Sequence, residues 1–320
     1  MCYIVSGKGG KSIMKRVLFK RILILCLSAS FFTVFITSSF GALEVKTPSP
    51  KGENGLGDGV TEYWALLVAV GVYANHPNEN RPSMLREVDN LYNTLLGSQF
   101  WSQDHIRVVK GEDANVLNIL RGLVWLNSRV DGDDVSLVYI TTHGFPLYLG
   151  DKPIDLPPRD ESDGCDEALV TYWGFEKPLA IIWDDELNLL LSLLKSPGVC
   201  LIVDSCFSGG FNDPPYWDKV LLNTPYHSSG YDLTSFSSEW VKDLSAKGRV
   251  VLMSCQEDEV SYGSDFSHYL AEGLGGAADV NVDGLVSAEE AFNYAKDRIG
   301  SWQHPTMYDG YPGELPLTKV

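Results

Sequence analysis

Residues 64–72 (WALLVAVGV), 135–141 (VSLVYIT) and 199–204 (VCLIVD) are runs rich in β-branched and aliphatic residues with no polar alternation. A strand that is apolar on both faces must be covered on both faces, which places it inside a mostly parallel sheet packed between helices. Two more runs, 106–109 and 249–253, extend the set. Helical segments are predicted between them at 85–96, 115–127 and 184–194, the first with Leu85, Val88, Leu91, Tyr92 and Leu95 on one face. The expected fold is therefore α/β, with a mostly parallel central sheet flanked by helices.

The first forty residues stand outside this pattern. Lys15, Arg16, Lys20 and Arg21 precede an uncharged apolar run over 22–40, the arrangement of a secretory signal or an N-terminal membrane anchor. Residues 1–42 are read as that segment, 43–60 as a Pro- and Gly-bearing linker or propeptide, and 61–320 as one domain. The chain is expected to be secreted or held at the cell surface, touching a membrane only through that segment. A formal net charge of -17 disfavours nucleic acid as a partner. The four cysteines beyond the N-terminal segment, Cys165, Cys200, Cys206 and Cys255, are too irregular for a disulfide framework or a zinc site.

Two residues sit alike at the ends of apolar runs. His143 follows 135–141 and precedes Gly144, while Cys206 follows 199–204 and precedes Phe207, Ser208, Gly209 and Gly210. If the two runs are neighbouring parallel strands, thiol and imidazole meet at one carboxyl edge. A nucleophilic thiol needs an imidazole to take its proton and later to protonate a leaving amine. The glycines allow close backbone approach, and the N–H groups of Gly144 and Cys206 are candidate oxyanion donors. Alone, each residue reads as an ordinary core or loop residue; the repeated placement makes a site. Cys255 also ends a run, but Glu257, Asp258 and Glu259 follow it, a setting that disfavours a thiolate.

These residues resemble a known family. Asp204-Ser205-Cys206-Phe207-Ser208-Gly209 is similar to the metacaspase nucleophile motif, and His143-Gly144 to its partner. The segments 163–169, 184–187 and 254–261 resemble further family motifs in the same order. The resemblance implies a caspase-like three-layer sandwich and a cysteine endopeptidase acting on protein or peptide substrates without an organic cofactor. Phe207 in place of a histidine, Thr141-Thr142 before the His-Gly pair, and Arg86 near a common pocket-cysteine position are departures that point to a divergent bacterial or archaeal-style relative. A legumain-like asparaginyl peptidase and a non-catalytic calcium-binding surface module on the same fold stay open.

The resemblance also implies a specificity pocket lined by Asp204 and by Asp89, acids that suit an Arg or Lys side chain. It implies an activating calcium site at Asp166, Asp184, Asp185 and Asp213, so that activity is expected to depend on calcium. A second calcium site is read from spacing alone. Over 279–290 (DVNVDGLVSAEE), Asp279, Asn281, Asp283, Leu285, Ser287 and Glu290 occupy the six ligand positions of an EF-hand-like loop, and Gly284 makes its turn. A single loop of this kind is expected to bind calcium weakly, on the order of 10⁻⁴–10⁻³ M.

Overall fold

The computed structural model describes residues 57–149, 152–153, 155, 166–177, 179–207, 246–255, 264–301 and 303–320, all within one unit, Pro50–Val320. The N-terminal segment, residues 43–56 of the linker, Cys165, Asp213 and the motif residues 163–164, 208–210 and 256–261 lie outside them.

The apolar runs form the sheet. In chain order the strands are β1 (Tyr63–Ala69), β2 (Ile106–Lys110), β3 (Val135–Pro146), β4 (Tyr148–Leu149), β5 (Lys152–Pro153), β6 (Glu167–Val170), β7 (Ile181–Trp183), β8 (Gly198–Phe207), β9 (Arg249–Met253), β10 (Leu285–Ser287), β11 (Thr306–Asp309) and β12 (Pro316–Lys319). The main sheet has the order β11-β9-β8-β3-β1-β2. β2, β1, β3, β8 and β9 run parallel, and β11 closes one edge antiparallel. The helices are α1 (Pro82–Gly97), α2 (Val116–Arg129), α3 (Asp184–Ser192), α4 (Asp265–Glu272) and α5 (Ala288–Ile299).

Burial on both faces explains the lack of alternation in the strands. Ala65, Leu67, Leu137, Tyr139, Ile202 and Leu252 pack in one core with Val88, Leu91 and Leu95 of α1, Phe266 and Leu270 of α4, and Phe292 and Ile299 of α5. On the other face Leu66 meets α2 at Gly122, where a Cβ would lie 2.6 Å from a Leu66 methyl, so a larger residue would have to displace the Leu66 side chain. Each large side chain buried in this way contributes roughly 1.5–3 kcal/mol, so the core rather than helix propensity seats the helices. Local signals set their ends. Pro82 opens α1, Asn115 accepts the Asn118 N–H at 3.1 Å to cap α2, and Ser287 and Glu290 cap α5 reciprocally.

Three strand ends differ from expectation. β1 stops at Ala69, because Gly71 turns the chain at a φ of 61°. β3 does not end at Thr141 but runs to Pro146, because β6 pairs antiparallel with its last residues (Gly144↔Leu169, Phe145↔Ala168, Pro146↔Glu167). The segment 144–177 therefore carries the end of β3, the β4–β5 pair and β6. β8 likewise runs past 204 to Phe207, paired with β3, so His143 and Cys206 lie within strands rather than after them.

Candidate active site

The two central strands project beyond their neighbours at the carboxyl end of the sheet. β1 pairs with β3 as far as Ala69↔Thr141, and β9 with β8 as far as Met253↔Val203. The β3–β8 ladder continues through Thr142↔Ser205, His143↔Cys206 and Gly144↔Phe207. His143 and Cys206 are thus register partners, with backbones about 4.8 Å apart as in any sheet. They stand next to the point where strand order reverses, since β1 leads outward to β2 while β3 leads to β8 and β9. In open α/β sheets that reversal opens a crevice for ligands.

The His143 ring is fixed by groups that carry no motif. The side chain is buried, and Nε2 lies 2.9 Å from the Glu79 carbonyl oxygen. A carbonyl only accepts, so Nε2 carries the proton of the neutral imidazole and Nδ1 is the basic nitrogen. The backbone N–H of His143 donates to the Tyr73 hydroxyl at 3.1 Å. The Tyr73 ring lies 5.0 Å from the imidazole, and Phe175 stands edge-on at 5.8 Å. Burial pushes the imidazole pKa down to about 4; the Glu79 carbonyl opposes that shift and the nearby Arg81 charge adds to it. His143 is therefore a neutral base throughout the physiological range. Glu79 and Tyr73 both belong to the segment after β1 and were not anticipated.

Asp204 is 2% exposed and accepts a hydrogen bond from Ser267 on α4, whose oxygen in turn lies 2.7 Å from the Tyr139 hydroxyl. Ser267 uses its one proton on the carboxylate, so Tyr139 donates to Ser267. Asp89, the expected second pocket acid, is exposed instead. Its side chain is 53% exposed and pairs with Lys110 at 2.5 Å. The buried acid of α1 is Glu87, 1% exposed, which accepts from Arg86 Nε at 2.9 Å and Asn90 Nδ2 at 2.8 Å. His268, adjacent to Ser267 on α4, reaches Glu87 at 3.5 Å. Burial raises the Tyr139 pKa well above its ordinary value, and Asp204 and Glu87 both push it in the same direction. Both acids are thus buried and near enough to Tyr139 to act on it, Glu87 from α1 and Asp204 from β8. Cys255 is buried, with its thiol 3.6 Å from the Ser205 carbonyl, the setting of a core residue.

The predicted cation ligands fall in two places. β6 and β7 pair through Ala168↔Trp183, which sets Asp166, just before β6, and Asp184 and Asp185, at the start of α3, at the ends of that pair. Asp166 and Asp184 are buried. In the C-terminal loop Asp279 accepts the Asp283 and Gly284 N–H groups, both at 3.1 Å, and Asn281 accepts that of Asp283 at 3.0 Å. Asp283 accepts the Leu285 N–H at 2.8 Å, and Glu290 accepts that of Ser287 at 3.1 Å. Val282 and Gly284 take positive φ values of 58° and 81°, which coil the loop. Leu285 pairs with Lys319 of β12. Among the described residues the carboxylates that already converge within 4.8 Å of one another are a different trio, Asp58, Asp131 and Asp133.

Residues 62–309 match the caspase domain family, peptidase C14. Metacaspase-1B of Aspergillus clavatus is 32% identical over 161 residues, covering 48% of this chain and 36% of the relative. Metacaspase-1B of Aspergillus niger is 31% identical over 161 residues, covering 48% and 34%. The chain spans about a third of the length of these curated relatives. Protein GSU0716 from Geobacter sulfurreducens superposes with a TM-score of 0.53 at 13% identity over 81% of this chain and 99% of that one, a likeness of fold. With the family matched over most of its length, on a sheet that carries a cysteine and a histidine as register partners, the chain belongs to the caspase domain family of cysteine-type peptidases and has metacaspases among its relatives.

Proposed function

We propose that this chain is a cysteine endopeptidase in which Cys206 and His143 form the dyad, and that it cuts after Arg or Lys. The pairing of His143 with Cys206 across the β3–β8 ladder carries this reading. The Cys206 thiol passes its proton to His143 Nδ1, and the thiolate attacks the scissile carbonyl. The N–H groups of Gly144 and Cys206 hold the oxyanion. His143 returns the proton to the leaving amine, a thioester remains, and a water activated by His143 releases the acid. The bond from Nε2 to Glu79 supports this assignment, because it leaves Nδ1 as the acceptor.

The preference for a basic residue rests on Asp204 and Glu87, two buried carboxylates that can balance a guanidinium or ammonium in a narrow pocket. Glu87 takes the part assigned from sequence to Asp89. Calcium is proposed at the Asp279–Glu290 loop and at Asp166, Asp184 and Asp185 with Asp213. Both donor sets are all oxygen and suit a hard cation. Calcium would tether the C-terminal loop structurally and, at the second set, would make activity calcium-dependent, while no proton step would pass through it. The basic and apolar N-terminal segment supports export, with the domain released or held at the cell surface.

Fluorogenic peptides ending in Arg, Lys, Asn or Asp test the reading, assayed with calcium supplied. Cys206→Ala and His143→Ala are each expected to lower kcat by at least about 10³-fold. Activity retained in both variants refutes the dyad. Exclusive cleavage after Asn refutes the basic pocket and favours a legumain-like specificity.

A further inference from the structure

We infer that Tyr73 is a positioning residue for His143, an assignment that rests on the dyad reading above. β1 leaves the sheet after Ala69, and its last tie to β3 is the Val70 N–H donating to the Thr141 carbonyl at 3.0 Å. Two residues later on β3, the His143 N–H points toward the side that β1 has vacated. The Tyr73 hydroxyl accepts it at 3.1 Å and so stands in for a strand carbonyl.

The direction of each proton follows from counting. Thr142 Oγ1 donates its single hydrogen to the Val170 carbonyl at 2.5 Å. At the 3.0 Å contact between Tyr73 and Thr142 the phenol must therefore be the donor. The chain of bonds runs from the His143 N–H to the Tyr73 oxygen, and from the Tyr73 hydrogen through Thr142 to Val170 on β6. Bonds in such a buried chain reinforce one another.

The same side chain restrains the ring. Tyr73 packs at 5.0 Å on the imidazole, and Phe175 meets both rings edge-on, 4.9 Å from Tyr73 and 5.8 Å from His143. The loop holding Tyr73 is itself anchored. The Tyr73 N–H donates to Asn80 Oδ1 at 2.9 Å, the Arg81 N–H to the Gly71 carbonyl at 2.8 Å, and the Ala74 N–H to the Tyr172 carbonyl at 2.9 Å. One loop thus grips His143 at its backbone, through Tyr73, and at Nε2, through Glu79. An imidazole so held keeps Nδ1 aimed in one direction without reorganisation during turnover.

The test is Tyr73→Phe in the full chain, with steady-state kinetics on an Arg-ending fluorogenic peptide across pH. The phenyl ring remains, so only the hydroxyl is lost. A fall in kcat of about tenfold, with KM unchanged and the acid limb of the rate profile moved toward that of a solvated imidazole, is the expected result. A folded variant with wild-type kcat and wild-type pH profile overturns the inference. Should that variant not fold, Thr142→Val retains the phenol and removes its acceptor. A smaller loss confined to kcat is expected there, and an unchanged kcat and profile overturns the inference. His143→Ala run alongside separates the two claims. An inactive His143→Ala beside a fully active Tyr73→Phe refutes positioning only, whereas an active His143→Ala refutes the dyad and positioning together.

Discussion

The sheet edge around His143 and the C-terminal loop around Asp279 and Asp283 both gather polar groups, yet they treat water in opposite ways. His143 is 5% exposed, and its Nε2 and backbone N–H are committed to partners on another segment. In the loop, Val280 and Val282 stand in solvent, and the carboxylates of Asp279 and Asp283 bond to N–H groups two to five residues further on. A group that moves protons gains from being dry and immobile, since its basicity and aim are then set by the fold. An ion site gains from being accessible and locally assembled, because the ion must shed water and enter. The first region is built from four distant segments and the second from twelve consecutive residues.

Removing charge at the dry end should have the larger effect. Asp204→Asn or Glu87→Gln is expected to lower kcat/KM for Arg-ending peptides by about 100-fold, the scale of a buried charge-assisted contact. Asp89→Asn, which breaks only an exposed ion pair with Lys110, should change it by less than about twofold. An effect of Asp89→Asn equal to that of Glu87→Gln would restore the original assignment.

A pH titration sharpens the contrast next. Because the folded-state pKa of His143 lies near 4 and the unfolded value near 6.5, the unfolded chain binds more protons between these values. Its contribution is therefore intact above pH 6.5 and lost as pH falls toward 4, by roughly 3 kcal/mol. Urea midpoints measured across that window should slope less in His143→Gln. An identical slope would show that the imidazole is not dry.

The smallest effect is expected at the wet end. Glu290→Gln should abolish most of a calcium-induced rise in Tm of about 2–4 °C at millimolar calcium. It should leave kcat on Arg-ending peptides, measured in saturating calcium, within about twofold of wild type. A loss of activity as large as that of Asp204→Asn would link the two regions, against the separation drawn here.

The same contrast explains what could be read from the chain. The buried strands announced themselves because burial on both faces removes polar alternation, and β9 occupies the predicted residues 249–253. The loop ligands were readable because they are consecutive. β6 and β7, at four and three residues, are too short to leave a pattern. Glu87 was legible but overlooked. Met84, Val88, Leu91 and Leu95 form the buried stripe of α1, and position 87, three after Met84 and four before Leu91, lies on it while position 89 does not. Tyr73 and Glu79 left no signal, since what joins them to His143 is a fold-level approach across 64 to 70 residues.

The bond from His143 to the backbone of Glu79 carries an evolutionary corollary. Every residue type offers a main-chain oxygen, so drift at this position is invisible to selection on the imidazole. What selection can see is the number of residues between Gly71 and Arg81, whose own main-chain bond closes the loop at 2.8 Å. Relatives that keep Tyr73 but differ at position 79 should still orient the ring alike, whereas one inserted residue should misdirect it. At position 79 the heritable specification is written as a length.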